Sequence, residues 1–400
     1  MKWSTIKLGE LMDVKHGYAF KGKFFADSGE YILLTPGNCN EGGGLKFKGD
    51  KEKYYTGEFP PEFTLHVGYM LVVMTDLINT APILGGSFLI PEDNKFLHNQ
   101  RLGLVQITDD RRIEKKFLYY LLNTNGYRAQ VRGSASGATV RHTAPDRIKS
   151  CKVRVPCSLT YQRKIGDVLS AYDDLIGNNN RRIQLLEESA RLLYQEWFVR
   201  LRFPGYEHTR IVDGLPEGWE KNTLSELSDV TMGQSPESKF YNKVGNGLPF
   251  HQGVSDFSER FVSHSTYSTA LNRIANAGDI LCSVRAPVGR LNLTVDKIVI
   301  GRGLAAIHSK MGHQSFLYYQ LKNHFFKEDM IGGGAIFASV KKKDLLSQVM
   351  LTPNRTLMRS FEEFSVNIDM QIQNLFVQNQ KLKAARDLLL PRLMSGEIVV

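Results

Sequence analysis

The residues whose types and spacing come closest to a reactive centre are Asp229 and Glu237-Ser238-Lys239, a carboxylate followed by an E-x-K step. In a metal-dependent nuclease such a set would hold a divalent cation and poise water for attack on phosphate. Other catalytic spacings are missing. The run Gly332-Gly333-Gly334 lacks the Lys-Ser/Thr that completes a phosphate-binding loop, and no G-x-S-x-G elbow occurs. The ten histidines form neither H-E-x-x-H nor a Cys/His pairing at zinc spacing. An Asn/Asp-Pro-Pro-aromatic tetrapeptide of the kind that grips a flipped adenine is absent, as is a glycine-rich cofactor loop. No metal site, and no catalysis by this chain alone, is expected. What the sequence does carry is positive charge. The net value is +10, and residues 126–155 hold Arg128, Arg132, Arg141, Arg147, Lys149, Lys152 and Arg154 against only Asp146. Such a cluster suits a polyanion, since neutralised phosphates release counterions; it equally suits a solvated face.

The elements that must position these residues repeat. Trp3, Leu8, Glu10, Leu11, Asp13, Val14 and Gly17 spell W-x4-L-x-E-L-x-D-V-x2-G, and Trp219, Leu224, Glu226, Leu227, Asp229, Val230 and Gly233 spell it again. Phe117-Leu118-Tyr119-Tyr120 is answered by Phe316-Leu317-Tyr318-Tyr319, Gly137-Ala138 by Gly334-Ala335, and Pro156 by Pro353. Identities at fixed spacing, with a slowly drifting offset, indicate a duplicated domain with loops of different length. A period near two hundred is too long for a solenoid. Strand-like runs at 31–34, 70–74, 103–107, 279–284 and 304–308, bounded by Gly, Pro and Asn, alternate with helical stretches near 114–124 and 314–326. The expected fold class is α/β or α+β, with one mixed domain at 1–157 and its copy at 205–354. Arg101 and Arg302, beside strand-like runs, read as candidate buried structural arginines, and the paired tyrosines and Trp3 and Trp219 as core.

Two heptad segments, 158–204 and 355–400, follow the two domains. The first places Ile165, Leu169, Tyr172, Ile176, Asn179, Ile183, Leu186, Ala190, Leu193 and Trp197 in 4-3 spacing. In the second, Phe361, Phe364, Ile368, Gln371, Leu375, Gln378, Leu382, Ala385 and Leu389 read as the seam. Ser158 and Asn354 are suitable N-caps, Pro204-Gly205 should stop the first helix, and Pro391 should kink or end the second. So narrow a seam needs a partner. The simplest is the other helix of the same chain, antiparallel, giving a pseudo-two-fold repeat with Asn179, Gln371 and Gln378 as a polar mid-seam; a coiled coil with a second copy is the alternative. Thirty-odd residues at 1.5 Å rise make a rod of roughly 45–50 Å, against about 34–36 Å between successive major-groove faces of B-DNA. No run of eighteen apolar residues occurs, and Met1-Lys2-Trp3-Ser4 does not open a secretory leader, so no membrane span is expected. Cys39, Cys151, Cys157 and Cys282 read as reduced thiols, and a cytoplasmic location is expected.

These features together resemble the specificity subunit of type I restriction–modification systems. The resemblance spans essentially the whole chain. It rests on the twin W-x4-L-x-E-L openings, on Gly301-Arg302-Gly303-Leu304-Ala305-Ala306-Ile307 with its counterpart Asn99-Gln100-Arg101-Leu102-Gly103-Leu104-Val105, and on the Gly-Ala loop leading to Asp344-Leu345. The helix ends Leu193-Tyr194-Gln195-Glu196-Trp197-Phe198 and Leu390-Pro391-Arg392-Leu393-Met394-Ser395-Gly396 belong to it too. The first domain departs from it, with Ala144-Pro145-Asp146-Arg147-Ile148 in place of the more typical Lys341-Lys342-Lys343-Asp344-Leu345. The resemblance implies two target-recognition domains on double-stranded DNA, set apart by spacer helices acting as a ruler. It implies two methyltransferase subunits docked on those helices and motor–nuclease restriction subunits beside them. S-adenosylmethionine, and ATP with Mg2+ for restriction, would belong to those partners, and this chain would bind no cofactor.

Base reading favours Arg on guanine and Asn or Gln on adenine, while Lys, Arg and hydroxyls hold phosphates. In the first domain the candidates are Lys15, His16, Lys21 and Lys23, and the loop carrying Arg132, Ser134, Ser136, Arg141 and His142. In the second they are Gln234, Ser235, Lys239, Arg285, Arg290, Lys341, Lys342 and Lys343. Any one of them could equally be a solvated surface charge. Competing readings are a coiled-coil scaffold that binds only protein, and a standalone nuclease built on Asp229 and Lys239.

Overall fold

A computed structural model describes residues 2–326 and 339–400. The chain forms two compact units, residues 1–178 with 379–400, and residues 179–378. In the first, an antiparallel sheet runs in the order Met12–His16, Leu102–Ile107, Met70–Val73, Ser87–Leu89. A mixed sheet orders Phe25–Ala26, Tyr54–Tyr55, Tyr31–Leu33, Phe96–Leu97 and Thr64–Leu65, and Trp3–Lys7 pairs with Lys152–Pro156. The second unit repeats this strand for strand. Its antiparallel sheet is Ser228–Met232, Leu304–Ser309, Ile280–Ser283, Leu291–Leu293, and its mixed sheet is Tyr241–Asn242, Tyr267–Ser268, Leu248–His251, Ile298–Ile300, Ile274–Ala275. Glu220–Thr223 pairs with Val349–Thr352. The Gly-Ala correspondence cannot be followed, because Gly334-Ala335 and the Gly332-Gly333-Gly334 run lie outside the described residues.

Strand periodicity accounts for the layering. Met70 and Val72 enter one core with Leu8, Leu11, Phe117 and Leu118, while Leu71 and Val73 enter another with Ile32, Leu65 and Phe96. Successive side chains of a strand point to opposite faces, so a run buried on both faces is the middle layer. Ile280 and Cys282 against Leu281 do the same in the second unit. The repeated glycines serve close approach. A Cβ on Gly17 would lie 2.3 Å from the Asn99 carbonyl oxygen, and one on Gly233 2.1 Å from that of Gly301. The backbone beyond each continues the contact, Tyr18 donating to the His98 carbonyl and Gln234 to that of Ile300, both at 2.9 Å.

The central helix, Leu159–Tyr194, starts with Ser158 Oγ accepting from the Tyr161 amide at 3.4 Å, and the last, Arg355–Ser395, with Asn354 Oδ1 accepting from Leu357 at 2.9 Å. The central helix stops earlier than Pro204-Gly205 implies. It widens into one π turn at Gln195–Val199 and breaks where Leu201 takes φ +58°. Pro391 does not end the last helix, which runs on to Ser395 and stops at Gly396 with φ +79°. Near a helix end a proline forfeits one hydrogen bond, and burial of Leu393 and Met394 in the first core holds the final turn.

Within each unit the helix segments run antiparallel. In the first, Tyr161 Oη donates to the Ile398 carbonyl at 3.1 Å and Arg386 pairs with Asp173. In the second, the rings of Tyr194 and Trp197 meet Phe361 at 5.8 and 6.0 Å. The central helix turns Ile165, Leu169, Ile176, Asn179, Ala190 and Trp197 inward, with Tyr172, Ile183, Leu186 and Leu193 half-buried. The frame expected for the last helix is wrong at several positions. Phe364 is 59% exposed, and Phe364, Gln371 and Gln378 give way to Ser365, Ile372 and Asn379 as the buried ones. Ile368, Leu375, Leu382 and Leu389 keep their seam places, and Ala385 is half-buried beside Arg386, which pairs with Asp173. Apolarity favoured Phe364, but Ser365 satisfies its hydroxyl within the helix, on the Glu362 carbonyl at 3.4 Å. Of the expected polar mid-seam, Asn179 is buried, whereas Gln371 and Gln378 are exposed and Asn379 is buried beside the latter. Among the described residues, no helix is long and apolar enough to cross a membrane.

Candidate nucleic-acid interface

In the first unit, Lys15 and His16 are exposed at the end of the strand Met12–His16, and Lys21 and Lys23 follow in the next turn. The Lys23 ammonium sits 4.8 Å from the Phe24 ring centre. The expected basic loop is half helix, because Asn125–Ser134 contains Arg132 and Ser134. Arg141 is spent on backbone, its guanidinium donating to the carbonyls of Arg132 at 3.0 Å and Ala135 at 3.4 Å. Ser136 and His142 bridge as a short ribbon and stay exposed, with His142 Nδ1 3.1 Å from Thr75 Oγ1. Arg128, in the same basic stretch, is 4% exposed and donates to the carbonyls of Glu41 and Pro82, a packing role. Arg128 and Arg141 therefore close the fold, whereas Lys15, His16, Lys21, Lys23, Ser134, Ser136 and His142 stay exposed and Arg132 is half-buried.

In the second unit, Gln234 is exposed, and Ser235 Oγ donates to Gln252 Oε1 at 2.8 Å while accepting from the Arg302 amide at 3.1 Å. Arg285 and Arg290 are exposed at the two ends of the turn joining Ile280–Ser283 to Leu291–Leu293. Lys341 precedes the short helix Lys342–Leu346, and it, Lys342 and Lys343 are all exposed. Lys239 Nζ pairs with Glu237 at 2.7 Å and lies 5.0 Å from the Phe240 ring, whereas Asp229 is paired with Lys310 at 3.9 Å. Lys239 thus pairs within the E-x-K step itself while Asp229 pairs with Lys310, and the described residues hold no cluster of His, Cys, Asp and Glu fit for a metal. Arg101 and Arg302 are exposed, not buried. Each sits in the turn before a strand, where a long cation stays hydrated without a buried partner. Sequence reading missed Gln252, which lines a groove of about 630 Å³ with Ser235 and Arg302. Its only signal was the neighbouring Gly301 and Gly303, which let the backbone close on it.

Each domain is tied to the helices by a tyrosine of its FLYY run. Tyr120 Oη donates to Asp173 at 2.6 Å and Tyr319 Oη to Asp369 at 3.0 Å. Burial, and then the bond to Asp173, holds the Tyr120 hydroxyl protonated far above its ordinary range. Arg386 joins Asp173, while in the second unit the 2%-exposed Arg260 joins Asp369 and lies 4.6 Å from the Tyr318 ring centre.

Comparison with known proteins agrees with this architecture. The sequence profile of the type I restriction modification DNA specificity domain matches residues 1–188 and 216–354. A Methanocaldococcus jannaschii protein named as the type I restriction enzyme MjaX specificity subunit is 30% identical over 313 residues, 76% of this chain and 72% of that protein. The Haemophilus influenzae type I restriction enzyme HindI specificity subunit is 24% identical over 357 residues, 71% of this chain and 77% of that protein. Among solved structures, the S subunit of a type I restriction–modification system from M. genitalium shares the fold, with a TM-score of 0.60 at 18% identity and coverage of 98% of this chain and 96% of that one. Matched in both of its copies, the chain belongs to the type I restriction–modification DNA specificity family, as a non-catalytic specificity subunit.

Proposed function

We propose that this specificity subunit reads a bipartite, asymmetric target in double-stranded DNA, one half through each domain, with the paired helices as spacer. The observation that carries this reading is that one strand order occurs twice with different side chains on it. A duplicated scaffold offers two readers of one geometry, and unlike side chains at the groove give unlike half-sites. Two methyltransferase subunits dock on the helical region, and restriction subunits join them. S-adenosylmethionine, ATP and Mg2+ are used by those partners, in the cytoplasm where chromosome and complex meet. The test is one heptad inserted into each helix. At 1.5 Å per residue the helices lengthen by about 10 Å, so the gap between half-sites should widen by about three base pairs. Methylation mapping of cells carrying the longer variant reads the gap directly, and an unchanged gap would remove the spacer role.

A further inference from the structure

The groove of the second unit is built for more than phosphate contact. Tyr241 and Phe250 stack with ring centres 4.6 Å apart and form an apolar part of its lining. Polar groups converge beside them. Ser235 Oγ holds the amide oxygen of Gln252 at 2.8 Å, which fixes the plane of the side chain while leaving its NH2 and the second lone pair of Oε1 available. The Gly301–Gly303 turn lies directly on this residue. A Cβ on Gly301 would stand 2.7 Å from Gln252 Oε1, and one on Gly303 2.4 Å from its carbonyl oxygen. Between these glycines Arg302 is exposed and lines the same groove, and no acid pairs with its guanidinium among the described residues. The carboxylate in the lining, Asp256, is occupied, accepting from His251 Nδ1 at 3.1 Å and Ser265 Oγ at 3.2 Å.

A planar amide locked in orientation beside an unpaired guanidinium fork matches the edges of adenine and guanine in the major groove. We infer that Gln252 and Arg302 are base-reading side chains of the second domain, with Ser235 positioning Gln252. The inference rests on the chain's reading as a DNA specificity subunit. Strand register places Ala19, Thr35 and Gln100 of the first domain where Ser235, Gln252 and Arg302 stand in the second. The scaffold is therefore shared while the donors differ, as two unlike half-sites require.

The test is selection of a randomised duplex library by the full chain assembled with its methyltransferase subunits, for the native protein and for Gln252→Ala, Arg302→Ala, Arg302→Lys and Ser235→Ala. Both groove residues are exposed, so these changes leave the core intact. Gln252→Ala and Arg302→Ala should each lose roughly ten- to a hundredfold discrimination at one position of one half-site, with the other half and the gap unchanged. Arg302→Lys should lose it too, because a point charge cannot replace the fork. Ser235→Ala should relax the position read by Gln252, and Gln252→Ala should abolish that effect. Affinity falling equally for all sequences, with Arg302→Lys behaving as native, would make Arg302 a phosphate contact and overturn the inference. So would unchanged preferences in every variant. A native complex without any sequence preference would instead strike the underlying reading.

Discussion

Asp173 and Asp369 stand 196 residues apart at one position of the repeated helix, and the two units answer them with different arginines. Arg386 reaches Asp173 from the other helix; its counterpart 196 residues earlier is the fully buried Ala190, and Arg260 from the domain takes over. Asp369→Ala leaves the 2%-exposed Arg260 only Glu187 at 3.6 Å and should cost up to about 3–5 kcal/mol, whereas Asp173→Ala should cost less, since Arg386 is 23% exposed and keeps Asp387 at 2.8 Å. Urea unfolding of the two variants checks the order. A pH effect belongs to this scale as well. Burial foremost pushes the His98 imidazole down from 6.5 to about 4, with Nε2 2.9 Å from the Leu102 carbonyl oxygen. The folded ring stays neutral while the unfolded one gains a proton below about 6.5. Stability is therefore full above that pH, falls as pH drops towards 4, and loses at most about 3 kcal/mol there. His98→Gln should flatten this slope in urea midpoints taken between about pH 7.5 and 5. The burial of the tyrosines was legible in the sequence. Their aspartate partners were not, because the pairing depends on helix phase and long-range docking.

At the scale of elements, the seam of the last helix is the instructive miss. Ser158 and Asn354, the two N-caps, are 196 residues apart. Sliding the central helix's frame by that amount lands on Phe361, Ser365, Ile368, Ile372, Leu375, Asn379, Leu382, Arg386, Leu389 and Leu393, the positions found buried or half-buried. The information was present in the repeat, but hydrophobicity alone cannot choose Ser365 over Phe364 when the polar members satisfy themselves in place. Ile372→Ala, at a fully buried site, should cost about 2–4 kcal/mol, and Phe364→Ala less than about 1 kcal/mol, measured by chemical denaturation. Gly233→Ala should cost about 2 kcal/mol or more, since its Cβ would strike backbone at 2.1 Å. Strand positions were easier to read, because doubly buried runs such as Met70–Val73 sit between turn signals.

At the scale of the whole molecule, the duplication was the most legible property, and the four-stranded, five-stranded and terminal two-stranded sheets each occur twice in one order. Which surface loops meet a ligand was far less legible. Arg128 and Arg141, prominent in the basic stretch, serve packing, while Gln252 stood in no charged or repeated pattern at all. Charge counts do not distinguish a guanidinium closing a loop from one awaiting a base. In the proposed function the two copies read DNA independently of one another. The most direct measurement replaces residues 1–157 with the first domain of another family member and maps the methylated target. One half of the target should change, with the other half and the gap retained. Change in both halves, or in neither, would contradict it.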